Sequence, residues 1–177
     1  MNKKNLAMVA LATVMAVGAV ATPVATYAAG NTTEVKLSAD ESNLTVTVPT
    51  VIPFVATADG TLTSSVEGKI DNGSNFAIHV SNVQVAKAGA FNIVEDASAS
   101  EEDNAVSFSF GKAGHLMNAA NPTPVTGQYD LAPEGVKDDT DKIVVEANGK
   151  VKNVKADISS AQTIANITWT FKAGNAK

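Results

Sequence analysis

The chain has 177 residues, with 18 acidic against 13 basic side chains, a net charge of −5 and a pI near 4.9. That balance, with no dense run of Lys or Arg, speaks against nucleic acid or an anionic membrane surface as partner, because both are recognised through basic patches. No cysteine occurs, which removes disulfides, thiolate metal sites, lipoprotein anchoring and a cysteine nucleophile together and leaves an apolar core to hold the domain alone.

The N-terminus reads as an export signal. Lys3 and Lys4 give a positive start, Leu6 to Ala25 is uncharged and rich in Ala, Val, Leu and Met, and Thr26-Tyr27-Ala28 places small residues at the −3 and −1 positions of a cleavage site. Cleavage after Ala28 leaves residues 29–177 as one mature domain that has no membrane span of its own. The expected location is secreted, extracellular or attached to the cell surface, and the cysteine-free composition suggests a Gram-positive source.

Along the mature chain the dominant pattern has period two, the signature of strands with one buried face. Leu44, Val46 and Val48 share a face, with Thr45 and Thr47 opposite. Residues 52–58 read as a second strand closed by the Asp59-Gly60 hairpin turn, and Thr61 to Ile70 as a weaker one ending in the turn cluster Asp71-Asn72-Gly73-Ser74. Phe76, Ile78 and Val80 share a face, whereas Val83 and Val85 take the opposite parity. A slip of one residue near Ser81-Asn82 predicts a β-bulge or a strand that changes sheets.

Phe91-Asn92-Ile93 is a short strand, Glu95 to Asn104 an acidic loop, and Val106, Phe108 and Phe110 alternate with Ser107 and Ser109. Residues 111–140 read as long loops with a short strand near Tyr129-Asp130-Leu131. Lys142–Ala147 and Lys150–Val154 flank Asn148-Gly149, the sequence of a type I′ hairpin. Val154 to Thr163 holds at most one helical turn. In the last strand, Thr163 to Phe171, parity sends Ala165, Ile167, Trp169 and Phe171 inward. The expected fold is all-β, an immunoglobulin-like β-sandwich of roughly eight to ten strands, its core containing Leu44, Val46, Val48, Phe76, Ile78, Val80, Val106, Phe108, Phe110, Ile167, Trp169 and Phe171.

Chemistry is sparse by comparison. The two histidines, His79 and His115, lie in a strand with outward parity and in a Gly-flanked loop, and no Gly-x-Ser-x-Gly elbow accompanies them. No catalytic residue and no cofactor is assigned. Two acidic clusters stand out, Glu95-Asp96 with Glu101-Glu102-Asp103, and Asp138-Asp139 with Asp141. Three acids within four residues have the charge density calcium favours, so Asp138, Asp139 and Asp141 are the metal candidates, although EF-hand spacing is absent. Tyr129 and Phe54 are the aromatics left to offer a sugar-binding platform. Lys36 and Asn166 are types that cross-link in some surface domains, but parity turns both outward, so no such bond is expected.

The C-terminal Ile167-Thr168-Trp169-Thr170-Phe171 resembles the terminal Trp-x-Leu motif of WxL surface proteins. Phe171 stands where those have leucine, and Trp169 is the only tryptophan. The resemblance implies export by a Gram-positive cell and non-covalent retention at its wall. A rigid sandwich with polar Thr, Ser and Asn outer faces and no clustered chemistry gives the expected function: a non-enzymatic structural or adhesive protein, wall-associated or a filament subunit. Its partners would be a cell-wall polymer, a surface protein or further copies of itself. A glycan- or calcium-binding module is the alternative, and a secreted hydrolase a third reading. The polar mature N-terminus, Ala29 to Asn43, carries one apolar unit, Val35 and Leu37, suited to lending a strand to a neighbouring subunit.

Overall fold

The computed structural model describes residue 37 and residues 43–64, 68–136 and 138–177. The expected export signal, its expected cleavage site at Ala28, and Lys36 lie outside them. Contacts divide the chain into two units, and the architecture below is that of the unit Glu41–Lys177. It is all-β. Among the described residues no helix is long and apolar enough to cross a membrane.

Strands β1 (Val46–Thr47) and β2 (Val55–Ala56) are two residues each, interrupted by Pro49 and Pro53, which cannot donate to a ladder. β3 (Thr61–Thr63) returns from β2 through the Asp59-Gly60 turn, pairing Val55 with Thr63 and Ala56 with Leu62. Gly60 takes φ 83°, which few residues with a Cβ adopt. Asp59 locks the turn: its carboxylate accepts from the Thr57 hydroxyl (2.5 Å), the Thr61 hydroxyl (2.7 Å) and the Thr61 amide (3.2 Å).

Those bonds favour the charged carboxylate and hold its pKa, ordinarily 3.8, at about 2. Because the folded value lies below the unfolded one, the turn's contribution is complete above pH 4 and disappears as pH falls toward 2. Carboxyl resonances followed by NMR through that window should show Asp59 titrating last, with the Thr61 amide shifting alongside it. An ordinary midpoint would contradict the turn geometry.

β4 (Gly68–Asn72) includes Asp71 and Asn72, which the sequence pattern assigns to a turn. β5 (Ile78–Lys87) is followed by β6 (Asn92–Ile93), β7 (Ala105–Lys112), β8 (Met117–Asn118) and β9 (Asp130–Leu131). The long strands β10 (Lys142–Lys152) and β11 (Ala165–Ala173) complete the set. β10 is the spine of the first sheet. One of its edges carries β4 and then β3, and the other carries β7; β1 and β2 lie outside β4 and β3, while β6 and β8 lie beyond β7. The second sheet has the order β11-β5-β9. Pairing is antiparallel except between β6 and β7.

The expected hairpin at Asn148-Gly149 does not form. β10 runs straight through these residues because both its edges are occupied there: Gly149 lies opposite Leu62 on one side and Phe108 on the other. A two-residue turn would forfeit both ladders. Glycine serves close approach here, since a Cβ would sit 2.8 Å from the Phe108 Cβ and collide with the Ser107 carbonyl. The chain turns later, at Asn153, with φ 53°.

The slip near Ser81 is a β-bulge. β11 pairs Thr170 with Asn82 and Phe171 with Val80, so Ser81 has no residue opposite, and buried positions shift from Ile78 and Val80 to Val83. Val154 to Thr163 forms no helical turn, and residues 111–140 contain the end of β7, β8 and β9 rather than β9 alone.

The two sheets share one core. Ile70, Val106, Phe108, Phe110, Ile143 and Val145 come from the first, and Ile78, Val80, Val83 and Leu131 from the second. An aromatic chain crosses it: Phe54 meets Phe108 (5.7 Å), Phe108 meets Phe110 (5.8 Å), and Phe110 meets Trp169 edge-on (5.7 Å, 86°).

Candidate functional site

Of the residues that parity assigns to the core, Ile78, Val80, Val106, Phe108 and Phe110 are buried. Leu44, Val46, Val48, Phe76, Ile167, Trp169 and Phe171 are only half-buried, packed against the core from its margin. The correction has a structural cause. β1 pairs with β4 alone and β11 with β5 alone, so each ends its sheet among the described strands. Side chains on their inner faces meet the core below, and no described strand lies along their outer edges.

The two terminal strands lie on the same side of the molecule and border one groove, of about 500 Å³. Its first wall is Leu44, Val46 and Val48, and its second is Ile167, Trp169 and Phe171, with Thr168 and Thr170 between them. Alternation builds each wall, because only every second side chain faces inward, and the intervening Asn166, Thr168 and Thr170 are exposed. The result is an apolar trough flanked by strand edges. Among the described residues its lining has no titratable side chain.

A second pocket, of about 250 Å³, lies on the outer face of the β11-β5-β9 sheet. Lys172, His79 and Asp130 are cross-strand neighbours there, and Ser81 lines the same pocket. Serine, histidine and aspartate are the types of a nucleophilic triad, but their bonds lead elsewhere. The His79 Nδ1 is 2.7 Å from the Gly174 carbonyl, the Ser81 hydroxyl donates to the Thr170 carbonyl (3.2 Å), and Asp130 accepts from the Ala176 amide (3.1 Å). These contacts pin the C-terminal residues across the sheet. His115 contributes its backbone carbonyl to a bond from the Tyr129 hydroxyl (2.6 Å).

The acidic clusters disperse. Asp138 and Asp139 are exposed, with left-handed φ of 80° and 51°, whereas Asp141 points inward and is 5 % exposed. One Asp141 oxygen accepts from the Gly135 amide (3.3 Å), and the other has no hydrogen-bond partner, with the Lys142 ammonium 3.9 Å away. Lys142 also reaches Asp139 (3.4 Å), and that bond, followed by the charges of Asp141 and Asp139, raises the lysine pKa. Among the described residues no three histidine or acidic side chains converge to hold a metal ion. In the other cluster, Asp103 pairs with Lys155 (2.8 Å) and Asp96 accepts from the Ser98 amide (2.8 Å).

Neither aromatic platform candidate is displayed. Tyr129 is 1 % exposed, its hydroxyl accepting from the Lys112 amide (3.1 Å), and Phe54 is half-buried against Phe108. Asn166 is exposed. The groove itself escaped the sequence reading, although its parts were visible. Parity marks the inward face of a strand without revealing whether that strand has one neighbour or two. Compared with known protein families, curated proteins and solved structures, the chain matches none of them.

Proposed function

We propose that the protein is exported through a signal cleaved at Ala28 and acts without catalysis as a structural or adhesive component of the cell surface. In this reading its fold is an immunoglobulin-like sandwich whose margin between β1 and β11 is left open for binding. The observation that carries it is the apolar groove walled by Leu44, Val46, Val48, Ile167, Trp169 and Phe171. Isolated surface leucines and valines are ordinary, whereas a continuous apolar trough between two strand edges marks a place where another chain docks. Among the described residues the groove's lining contains no titratable side chain, which fits docking of another surface.

Fractionation of producing cells tests the proposal. The protein is expected in the wall or surface fraction, shortened by the first 28 residues when its mass is measured. Retention of the intact N-terminus in the cytoplasm would overturn it.

A further inference from the structure

The strands that end the two sheets are not alike. β1, β2 and β9 are two residues each, and Pro49 follows β1 while Pro53 precedes β2. Such short ends offer a neighbouring strand little to pair with. β11 is nine residues, Ala165–Ala173, and among the described strands it pairs with β5 alone. It contains no proline or glycine, its one charge is Lys172 near the end, and the bulged residue lies in β5. The devices that ordinarily blunt an edge are missing from this one.

Hydrogen bonds fix which backbone groups of β11 face that edge. The Ile164 carbonyl accepts from the Ala88 amide (3.0 Å), the Thr170 carbonyl from the Ser81 hydroxyl (3.2 Å), and the Gly174 amide donates to the Ala77 carbonyl (2.7 Å), all toward β5 and its flanks. Successive residues of a strand bond to opposite sides. Even-numbered positions therefore serve β5, and Ala165, Ile167, Trp169, Phe171 and Ala173 turn their amides and carbonyls to the open edge.

The order of side chains along that edge then selects the occupant. Ala165-Asn166-Ile167-Thr168-Trp169-Thr170-Phe171-Lys172-Ala173 reads nearly alike from either end, with Trp169 at its centre. An antiparallel copy registered on that centre sets Trp169 opposite Trp169, Ile167 opposite Phe171, Thr168 opposite Thr170 and Ala165 opposite Ala173. Outward donors meet outward acceptors, and Lys172 falls opposite the uncharged Asn166, so no like charges are opposed. The half-buried Ile167, Trp169 and Phe171 of both copies lie on one face and join the two apolar troughs into one strip. Mutual matching of this kind is what a two-fold interface requires.

We propose that β11 pairs with β11 of a second copy of this chain, antiparallel about Trp169, so that one sheet runs across a closed dimer. The inference rests on the reading of the open margin as a docking surface and names a second copy as what docks there.

The absence of cysteine makes the register measurable. Thr168 and Thr170 are exposed, and the pairing brings them to about 4.5 Å between Cα atoms, within disulfide range. Full-length chains carrying Thr168→Cys and Thr170→Cys, with tags of different mass, are mixed under oxidised glutathione. Their mixed disulfide is expected about tenfold or more above that between Thr168→Cys and Asn166→Cys chains, which the register holds about 13 Å apart. Thr168→Lys/Thr170→Lys sets lysines opposite lysines without entering the core. It is expected to keep the parent's circular dichroism and to be a monomer in sedimentation equilibrium where the parent chain is a dimer.

A parent chain that stays monomeric up to about 1 mM would overturn the pairing, as an edge already covered within its own chain would do. So would a mixed disulfide no more abundant than the misregistered one, or a dimer indifferent to the two lysines. The outcome separates from that of fractionation. Protein free in the medium that still forms the mixed disulfide rejects the surface reading alone, and wall-bound protein that never forms it rejects the β11 pairing alone.

Discussion

Phe110→Ala is expected to lower the free energy of unfolding by about 3–5 kcal/mol. Phe110 is completely buried on β7, between Phe108 and the edge-on ring of Trp169, and faces Ala147 on β10 and Met117 on β8. Truncation removes the transfer energy of a ring and leaves a cavity whose walls belong to strands held in register on both sides, so collapse cannot fill it. Against a total of about 5–15 kcal/mol for a domain of this size, such a loss is severe. Guanidinium unfolding followed by circular dichroism measures it directly. A loss below about 1 kcal/mol would show that Phe110 is not where the two sheets meet.

The second large effect concerns a polar residue. Asn72 is fully buried, and its amide nitrogen donates to the carbonyls of Phe76 (3.0 Å) and Ala132 (2.7 Å) while its oxygen accepts from the Ser74 amide (2.9 Å). It thereby ties the end of β4 to the loop that enters β5 and to the segment after β9. Asn72→Ala strands three backbone groups without partners, and at about 1–3 kcal/mol for each buried unsatisfied group the cost is expected to reach about 3 kcal/mol or more.

Asn72→Asp keeps the shape but aims a carboxylate at two carbonyl oxygens. Its folded pKa must lie above the unfolded value, so its stability should fall as pH rises through the carboxylate range and partly recover in acid. Thermal melting of both variants at pH 4 and pH 7 checks the magnitude and the sign. An Asn72→Asp protein more stable at pH 7 than at pH 4 would contradict the bonding described.

Much of this architecture was legible in the chain because alternation reports a strand's faces directly. Val106, Phe108 and Phe110 announce β7, the Asp59-Gly60 pair announces its turn, and the parity break between Val80 and Val83 announces the bulge. Failures arose where tertiary pairing overrides a local signal. Asn148-Gly149 has the composition of a hairpin tip, yet strands on both edges of β10 hold it extended, and Phe108 opposite Gly149 is what requires the missing Cβ.

Asn72 reads as a turn residue because asparagine is common there, and only its three buried partners explain its place at the end of a strand. Tyr129 looked like a surface aromatic among prolines and glycines, but the loop folds it under β7, where its hydroxyl satisfies Lys112 and His115. The groove was hidden for a related reason. The inward parity of Trp169 and Val46 is correct, and what the pattern omits is that β1 and β11 each end their sheet among the described strands.

That open margin is the centre of the account, and Trp169 reports on it without labelling, being the sole tryptophan and part of the groove wall. Acrylamide quenching of its fluorescence in dilute protein measures whether the trough is open. Intermediate quenching is expected of a half-buried ring on the wall of an open groove. Emission that is already blue and resists quenching in the isolated monomer would mean that the margin is closed within one chain.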